Sequence, residues 1–160
     1  MKIRISGFEL ESIVDGEGIR FVIFTQGCPH HCKGCHNPET HDFKGGVEYD
    51  TSDIIKMIEE NPLISGITIS GGEPFCQSRA CTELAREAHH MNLNVWCYSG
   101  YPVEHLLEMD RSFLHEIDVL VDGKYSEHLR TLSLPFRGSS NQRIIDVQKS
   151  FKEGKTVLLY

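Results

Sequence analysis

The 160-residue sequence has no surplus of positive charge: 16 Lys and Arg stand against 23 Asp and Glu, a net charge of −7. A nucleic-acid or anionic-membrane binder ordinarily presents a basic surface, so that class is disfavoured. Long hydrophobic runs are missing as well. The apolar stretches Phe21–Phe24 and Val119–Val121 fall far short of the ~20 residues a membrane helix requires. Met1–Ile5 offers one short alternating segment without the apolar core of a secretory signal, so the expected setting is soluble and cytoplasmic. Internal repeats, low-complexity tracts and obvious linkers are absent, and the length suits one domain spanning residues 1–160.

Cysteine is present in quantity and unevenly placed. Of the six, Cys28, Cys32 and Cys35 fall within eight residues, while Cys76, Cys81 and Cys97 are scattered. A reducing compartment disfavours disulfides, and four histidines (His30, His31, His36, His41) crowd the same window. Thiolates with imidazoles around them read as a metal or cluster site. The spacing alone leaves two chemistries open: a Cys3His zinc site closed by His36 or His41, or an iron–sulfur cluster held by three cysteines with one iron free. The scattered cysteines read as small buried fillers, although Cys76 follows a glycine-rich turn.

Periodicity predicts alternating strands and helices. Gly18–Thr25 is a β-branched and aromatic strand feeding the cysteine loop. Ser52 caps a helix over 53–60 with Ile54, Ile55 and Ile58 on one face. Strand 64–70 ends at Gly71-Gly72-Glu73-Pro74, and helix 77–91 carries Ala80, Leu84, Ala85 and Ala88 on one stripe. Strand 93–98 ends at Ser99-Gly100, Pro102 opens a helix to about 110, and strand 117–121 ends at Asp122-Gly123-Lys124. Beyond 125 the pattern is irregular, with short strands expected at 144–147 and 157–160. Phe8, Phe21, Phe24 and Trp96 read as core, Arg79 and Arg86 as solvated, and His30 and His31 as exposed loop residues. His89 and His90 suit a helix C-terminus. Strand–helix alternation implies parallel strands, and the length permits an open, partial (β/α) barrel. In a parallel sheet the four chemistry-bearing loops gather at one edge.

The Cys28-x3-Cys32-x2-Cys35 loop together with Ser70-Gly71-Gly72-Glu73-Pro74 resembles the radical S-adenosylmethionine (SAM) superfamily. More narrowly, Asp15-Gly16-Glu17-Gly18-Ile19-Arg20, Asp118–Lys124 and Arg137–Asp146 resemble the activating enzymes of anaerobic (class III) ribonucleoside-triphosphate reductase. The resemblance implies an oxidoreductase with a [4Fe-4S] cluster on Cys28, Cys32 and Cys35. It implies SAM on the fourth iron, reductive cleavage to a 5′-deoxyadenosyl radical, and a glycyl radical left in the reductase. It implies SAM contacts at Gly34, Cys35, His36, Ser70, Gly71 and Gly72, with Glu73 supporting the amino group and Asp122 or Lys124 meeting ribose or carboxylate. Gly34 stands where many members carry an aromatic residue beside the adenine, and His36 is its nearest replacement. The implied partners are the reductase and a low-potential electron donor such as flavodoxin, with no nucleic acid or membrane. Alternatives are an activase of pyruvate formate-lyase, a non-catalytic zinc-binding domain and a plain electron carrier.

Overall fold

The computed structural model describes residues 1–160. Seven strands form a single sheet: β1 (Lys2–Ser12), β2 (Arg20–Thr25), β3 (Val47–Asp50), β4 (Gly66–Gly71), β5 (Asn94–Ser99), β6 (Val119–Asp122) and β7 (Arg143–Asp146), in the order β3-β1-β2-β4-β5-β6-β7. The pairs β2–β4, β4–β5 and β5–β6 are parallel. The flanks are antiparallel, with β1 against β2 and β3, and β7 against β6. The expected run of parallel strands is therefore confined to four, and the sheet keeps two free edges.

Side-chain alternation explains the layering. Phe21 and Ile23, Ile67 and Ile69, Val95 and Cys97, and Leu120 point to one face, where they pack in one core with all the helices. Those helices are α1 (Thr51–Glu59), α2 (Ser78–His90), α3 (Val103–Met109), α4 (Arg111–His115) and α5 (Val147–Glu153). They contribute Ile54 and Ile58, then Ala80, Leu84, Ala85 and Ala88, then Leu106, Phe113, Leu114 and Val147. Trp96, Val121 and Ile144 form a smaller cluster on the other face, with Phe136 packed against it. Phe24, expected in the core, lies on that second face and is only partly buried.

Several boundaries differ from the sequence reading. The cap of α1 is Asp50, whose carboxylate accepts from the Ser52 amide, so the helix starts earlier than a Ser52 cap implies. A 3-10 turn, Pro74–Gln77, precedes α2. β1 runs to Ser12 because bulges between Ile5 and Gly7 and between Glu9 and Ser12 break its alternation. β3 is a four-residue edge strand, Val-Glu-Tyr-Asp, too short for its alternation to stand out, with Tyr49 packed on the core. The short helix α5 buries one residue, Val147, and stops at Gly154, whose φ of 67° suits a left-handed C-cap. Instead of a final strand, only a single bridge joins Leu158 to Ile145.

The Asp15–Arg20 motif lies at the start of β2, the edge opposite the cysteine loop. Arg20 is fully buried and donates to Thr68 Oγ1 (2.7 Å), Glu17 O (2.8 Å) and Ile67 O (2.6 Å), with its guanidinium 5.5 Å from the Trp96 ring centroid. Burial lowers its pKa to about 10. The motif thus ties the chain before β2 to the base of the sheet.

Candidate active site

The loops that follow β2, β4, β5 and β6 converge where parallel strands all end on one edge. Together they line a cleft of about 110 Å³ whose walls include Cys28, His30, Cys32, Cys35, His41, Ser70, Gly71, Gly72, Ser99, Gly100, Gly123, Tyr125 and Gln142. A larger cavity of about 420 Å³ between α3, α4 and α5 contains none of the cysteines and lies on the helical side. The smaller cleft holds the chemistry.

Closure of the cysteine loop begins at its base. The Gly27 amide donates to Thr40 O (2.7 Å) and the Cys28 amide to His41 O (3.2 Å), so residues 28–40 leave and return at one point. Gln26, almost fully buried, donates its amide to Glu39 O and Asp42 O and holds the returning arm. Within the loop the Cys35 amide donates to Cys32 O, and the Asn37 amide reaches Cys35 Sγ at 3.4 Å. Burial pushes the Cys28 and Cys32 thiols above their usual pKa. Binding a metal there releases protons, because the ligand is the thiolate.

The glycine turn is shaped by contact with that loop. Gly71 has a φ of 101°, and a Cβ there would collide with the Thr25 backbone. Gly72 needs its missing side chain for a different reason: a Cβ would fall on the Gly27 carbonyl. The Glu73 amide donates to that same carbonyl at 2.8 Å, so loop and turn fit backbone to backbone.

Glu73 turns inward, away from the cleft where a SAM contact was expected. It is wholly buried and does not line the cleft. Its Oε1 accepts from His30 Nε2 (2.7 Å) and the Gly100 amide (2.8 Å), its Oε2 from the Phe75 amide (3.0 Å), and Ser99 Oγ sits 3.0 Å from both oxygens. His30 is correspondingly buried, with its side chain 6% exposed, contrary to the expectation of a free loop residue.

Asp122 also turns inward. It is 1% exposed, accepts from Arg143 Nε (3.0 Å) and from the Val103 amide (2.8 Å), and shares Arg143 with the Glu104 carboxylate. The paired carboxylates raise the Arg143 pKa. Lys124 is exposed and, like Gly34 and His36, stands outside the cleft wall. His36 packs its ring 4.9 Å from that of Tyr125, and Gly34 (φ 75°) lies against Glu127.

Tyr125 and Gln142 also reach the cleft, Gln142 from within the Arg137–Asp146 segment. Gln142 accepts from the Gly138 and Ser139 amides and donates to Gly123 O (3.0 Å), which folds residues 137–142 back onto the end of β6. This is the mechanical role of the Arg137–Arg143 segment. Arg137 Nη1 donates to Gln142 O, and its Nε is the one buried side-chain nitrogen or oxygen without a partner. The scattered cysteines behave as fillers in two cases: Cys81 and Cys97 are fully buried, with raised pKa values. Cys76 is exposed as a residue, but partial desolvation of its thiol, together with the charge of Glu73, lifts its pKa to about 11.

The donor set by itself leaves both metal chemistries open. His41 shares the cleft with the three cysteines, as a Cys3His zinc site requires, yet no three His, Cys, Asp or Glu side chains are grouped to hold one ion. Residues 14–145 match the family described as a 4Fe-4S single cluster domain. The chain is 35% identical to the anaerobic ribonucleoside-triphosphate reductase-activating protein of Haemophilus influenzae, over 82% of this chain and 90% of that protein. It is 32% identical to the protein of the same name from Enterobacteria phage T4, covering 82% and 86%. The chain belongs to this family of activating proteins. Membership makes it an activating enzyme with a 4Fe-4S domain and leaves the zinc-domain and electron-carrier readings without support. Among solved structures, QueE from Escherichia coli superposes with a TM-score of 0.50 at 16% identity, over 62% of this chain and 53% of that one, a likeness of fold. No helix is long and apolar enough to cross a membrane.

Proposed function

We propose that Cys28, Cys32 and Cys35 hold three irons of a [4Fe-4S] cluster, that SAM occupies the fourth, and that the enzyme installs a glycyl radical in anaerobic ribonucleoside-triphosphate reductase. The observation that carries this reading is the meeting, in one cleft, of the three cysteines with the Ser70-Gly71-Gly72 turn from the neighbouring strand. When bound, the cofactors supply one-electron reductive cleavage of the sulfonium C–S bond, which gives methionine and a 5′-deoxyadenosyl radical.

The chain's own groups bind and orient. Ser70, Gly71 and Gly72 form the wall where a bare backbone admits the methionine portion of SAM. Tyr125 and Gln142 face it from the opposite loop. Gly34, His36 and Lys124, on the outer rim, meet the adenosine and carboxylate ends. Glu73 and Asp122 act at one remove, through the loops they hold. Residues 1–160 serve as one domain whose helix-backed sheet is a partial (β/α) barrel. A low-potential donor of the flavodoxin type reduces the enzyme in the cytoplasm.

The test is anaerobic. Reconstituted protein with reductant and SAM releases 5′-deoxyadenosine, and adding the reductase yields a glycyl-radical doublet by EPR. Pyruvate formate-lyase in its place yields none. Cys32→Ala abolishes 5′-deoxyadenosine while the far-UV circular dichroism persists. A colourless protein with stoichiometric zinc, or undiminished turnover by Cys32→Ala, overturns the reading.

A further inference from the structure

The buried Glu73 carboxylate is the only group that bonds to three of the loops around the cleft. It belongs to the glycine turn after β4. Through His30 it holds the cysteine loop after β2, and through Ser99 and Gly100 it holds the loop after β5. His30 lies between Cys28 and Cys32 in the chain, its ring edge-on to Tyr101 at 4.5 Å. Gly100 lacks a side chain where a Cβ would strike the His30 ring. The packing of this group is therefore specific on every side.

We infer that Glu73, acting through His30, is a positioning residue that sets the attitude of the cysteine loop, and that it does not touch SAM. The inference rests on the reading that Cys28, Cys32 and Cys35 hold the cluster. Its chemistry requires a carboxylate. Oε1 faces the Gly100 N–H and Oε2 faces the Phe75 N–H, so both oxygens must accept. A glutamine in either flip would turn an amide N–H toward a backbone N–H. Such a buried donor pair leaves both groups unsatisfied. The loop would then lose the His30 tether as the bracket readjusted, and the thiols on either side of His30 would move with it.

Three single variants and one double variant test this in the reconstituted holoenzyme: Glu73→Gln, His30→Phe, Ser99→Ala, and Glu73→Gln with His30→Phe. The phenylalanine keeps the ring against Tyr101 and removes only the bond. The main readout is the EPR spectrum of the reduced cluster before SAM is added, which a residue that only stabilises the fold, or only contacts SAM, leaves unchanged. Glu73→Gln and His30→Phe are expected to shift this spectrum in the same way. The double variant should go no further than Glu73→Gln, in the spectrum or in melting temperature, because the two residues act as one unit. Ser99→Ala should give a smaller shift of the same kind.

The inference fails if Glu73→Gln keeps the wild-type SAM-free spectrum while weakening SAM binding more than about tenfold by equilibrium dialysis, which would mark a direct ligand. It fails equally if melting temperature falls and the spectrum does not move. Should Glu73→Gln not fold, His30→Phe and Ser99→Ala decide by the same spectrum. If the wild-type protein holds no four-iron cluster, the proposed function is what fails. The coupling of residues 30 and 73 in melting temperature then still reports whether the bracket exists.

Discussion

At the scale of single residues, the site is governed by what is missing from side chains as much as by what they carry. Gly72 has an ordinary φ, so its requirement is spatial: the Gly27 carbonyl occupies the space a methyl group would take. Gly72→Ala is expected to cost about 1–3 kcal/mol, the usual range for overpacking, and to lower iron content after reconstitution, because relief comes only by pushing the cysteine loop outward. Iron analysis and urea unfolding read the two effects separately. His41 gives the complementary case. It lines the cleft but is not needed as a ligand when three thiols hold the cluster, so His41→Ala should retain four irons and still release 5′-deoxyadenosine. Loss of metal from that variant would restore the zinc alternative. The cysteines and glycines were legible in the sequence because their spacing is local and chemically unusual. The cleft positions of Tyr125 and Gln142 were not, since Tyr125 lies in the irregular chain after β6 and Gln142 arrives only through the fold-back of residues 137–142. Glu73 sits in a motif that the sequence displays, but its bonds to His30, Ser99 and Gly100 are not legible there, because a sequence does not show that His30 is buried beside it.

At the scale of elements, the four parallel strands, α1 and α2 can be read from periodicity, since each has an apolar stripe or a β-branched run, and α3 from Pro102 at its start. Of the flanks, β7 is legible as the Ile144–Val147 run, and the others are not. Bulges disturb β1, β3 is only four residues long, and α4 and α5 are too short for a helical period to register. Helix α1 shows how a cap can be misplaced by two residues. Asp50 and Ser52 are both good N-caps, and the chain uses Asp50, with Ser52 donating to it by amide and hydroxyl. Those two bonds hold the Asp50 pKa at about 2, below its ordinary 3.8. A depressed carboxylate pKa adds stability that is complete above the unfolded value and is lost as pH falls through the folded one. The stability advantage of wild type over Asp50→Asn should therefore be constant above about pH 5 and shrink between pH 4 and 2. Urea midpoints of the metal-free proteins across that range measure it. A constant difference down to pH 2 would mean that the cap is not charged in the folded chain.

Taken whole, the molecule divides into a helix-backed sheet and a rim of irregular chain built on its edge. Residues 28–46 and 123–143, which supply most of the rim, contain six Lys and Arg and three Asp and Glu, whereas the remainder has ten against twenty. The rim thus differs in the sign of its charge from the rest of the chain, although one of its cations, Arg143, is paired with Asp122 and Glu104. The same division governs what the cluster does for stability. The sheet has its own core of 25 buried residues and holds together through strand pairing. The rim has short 3-10 turns at Pro38–Thr40 and Glu127–Leu129, and its arms lean on each other where Gly34 meets Glu127 and where His36 meets Gly138 and Tyr125. A ligand that binds only the folded rim stabilises it by mass action, and opening of a rim need not involve the core. Removing iron with a chelator should therefore raise amide hydrogen exchange across 28–41 and 123–142 and leave β2, β4, β5 and β6 protected, since the cysteine arm loses its central tie and the second arm loses the surface it leans on. Exchange mass spectrometry of the loaded and stripped proteins resolves these segments. Uniform deprotection of the sheet on iron removal would show that the cluster stabilises the whole fold, and that the core cannot stand without it.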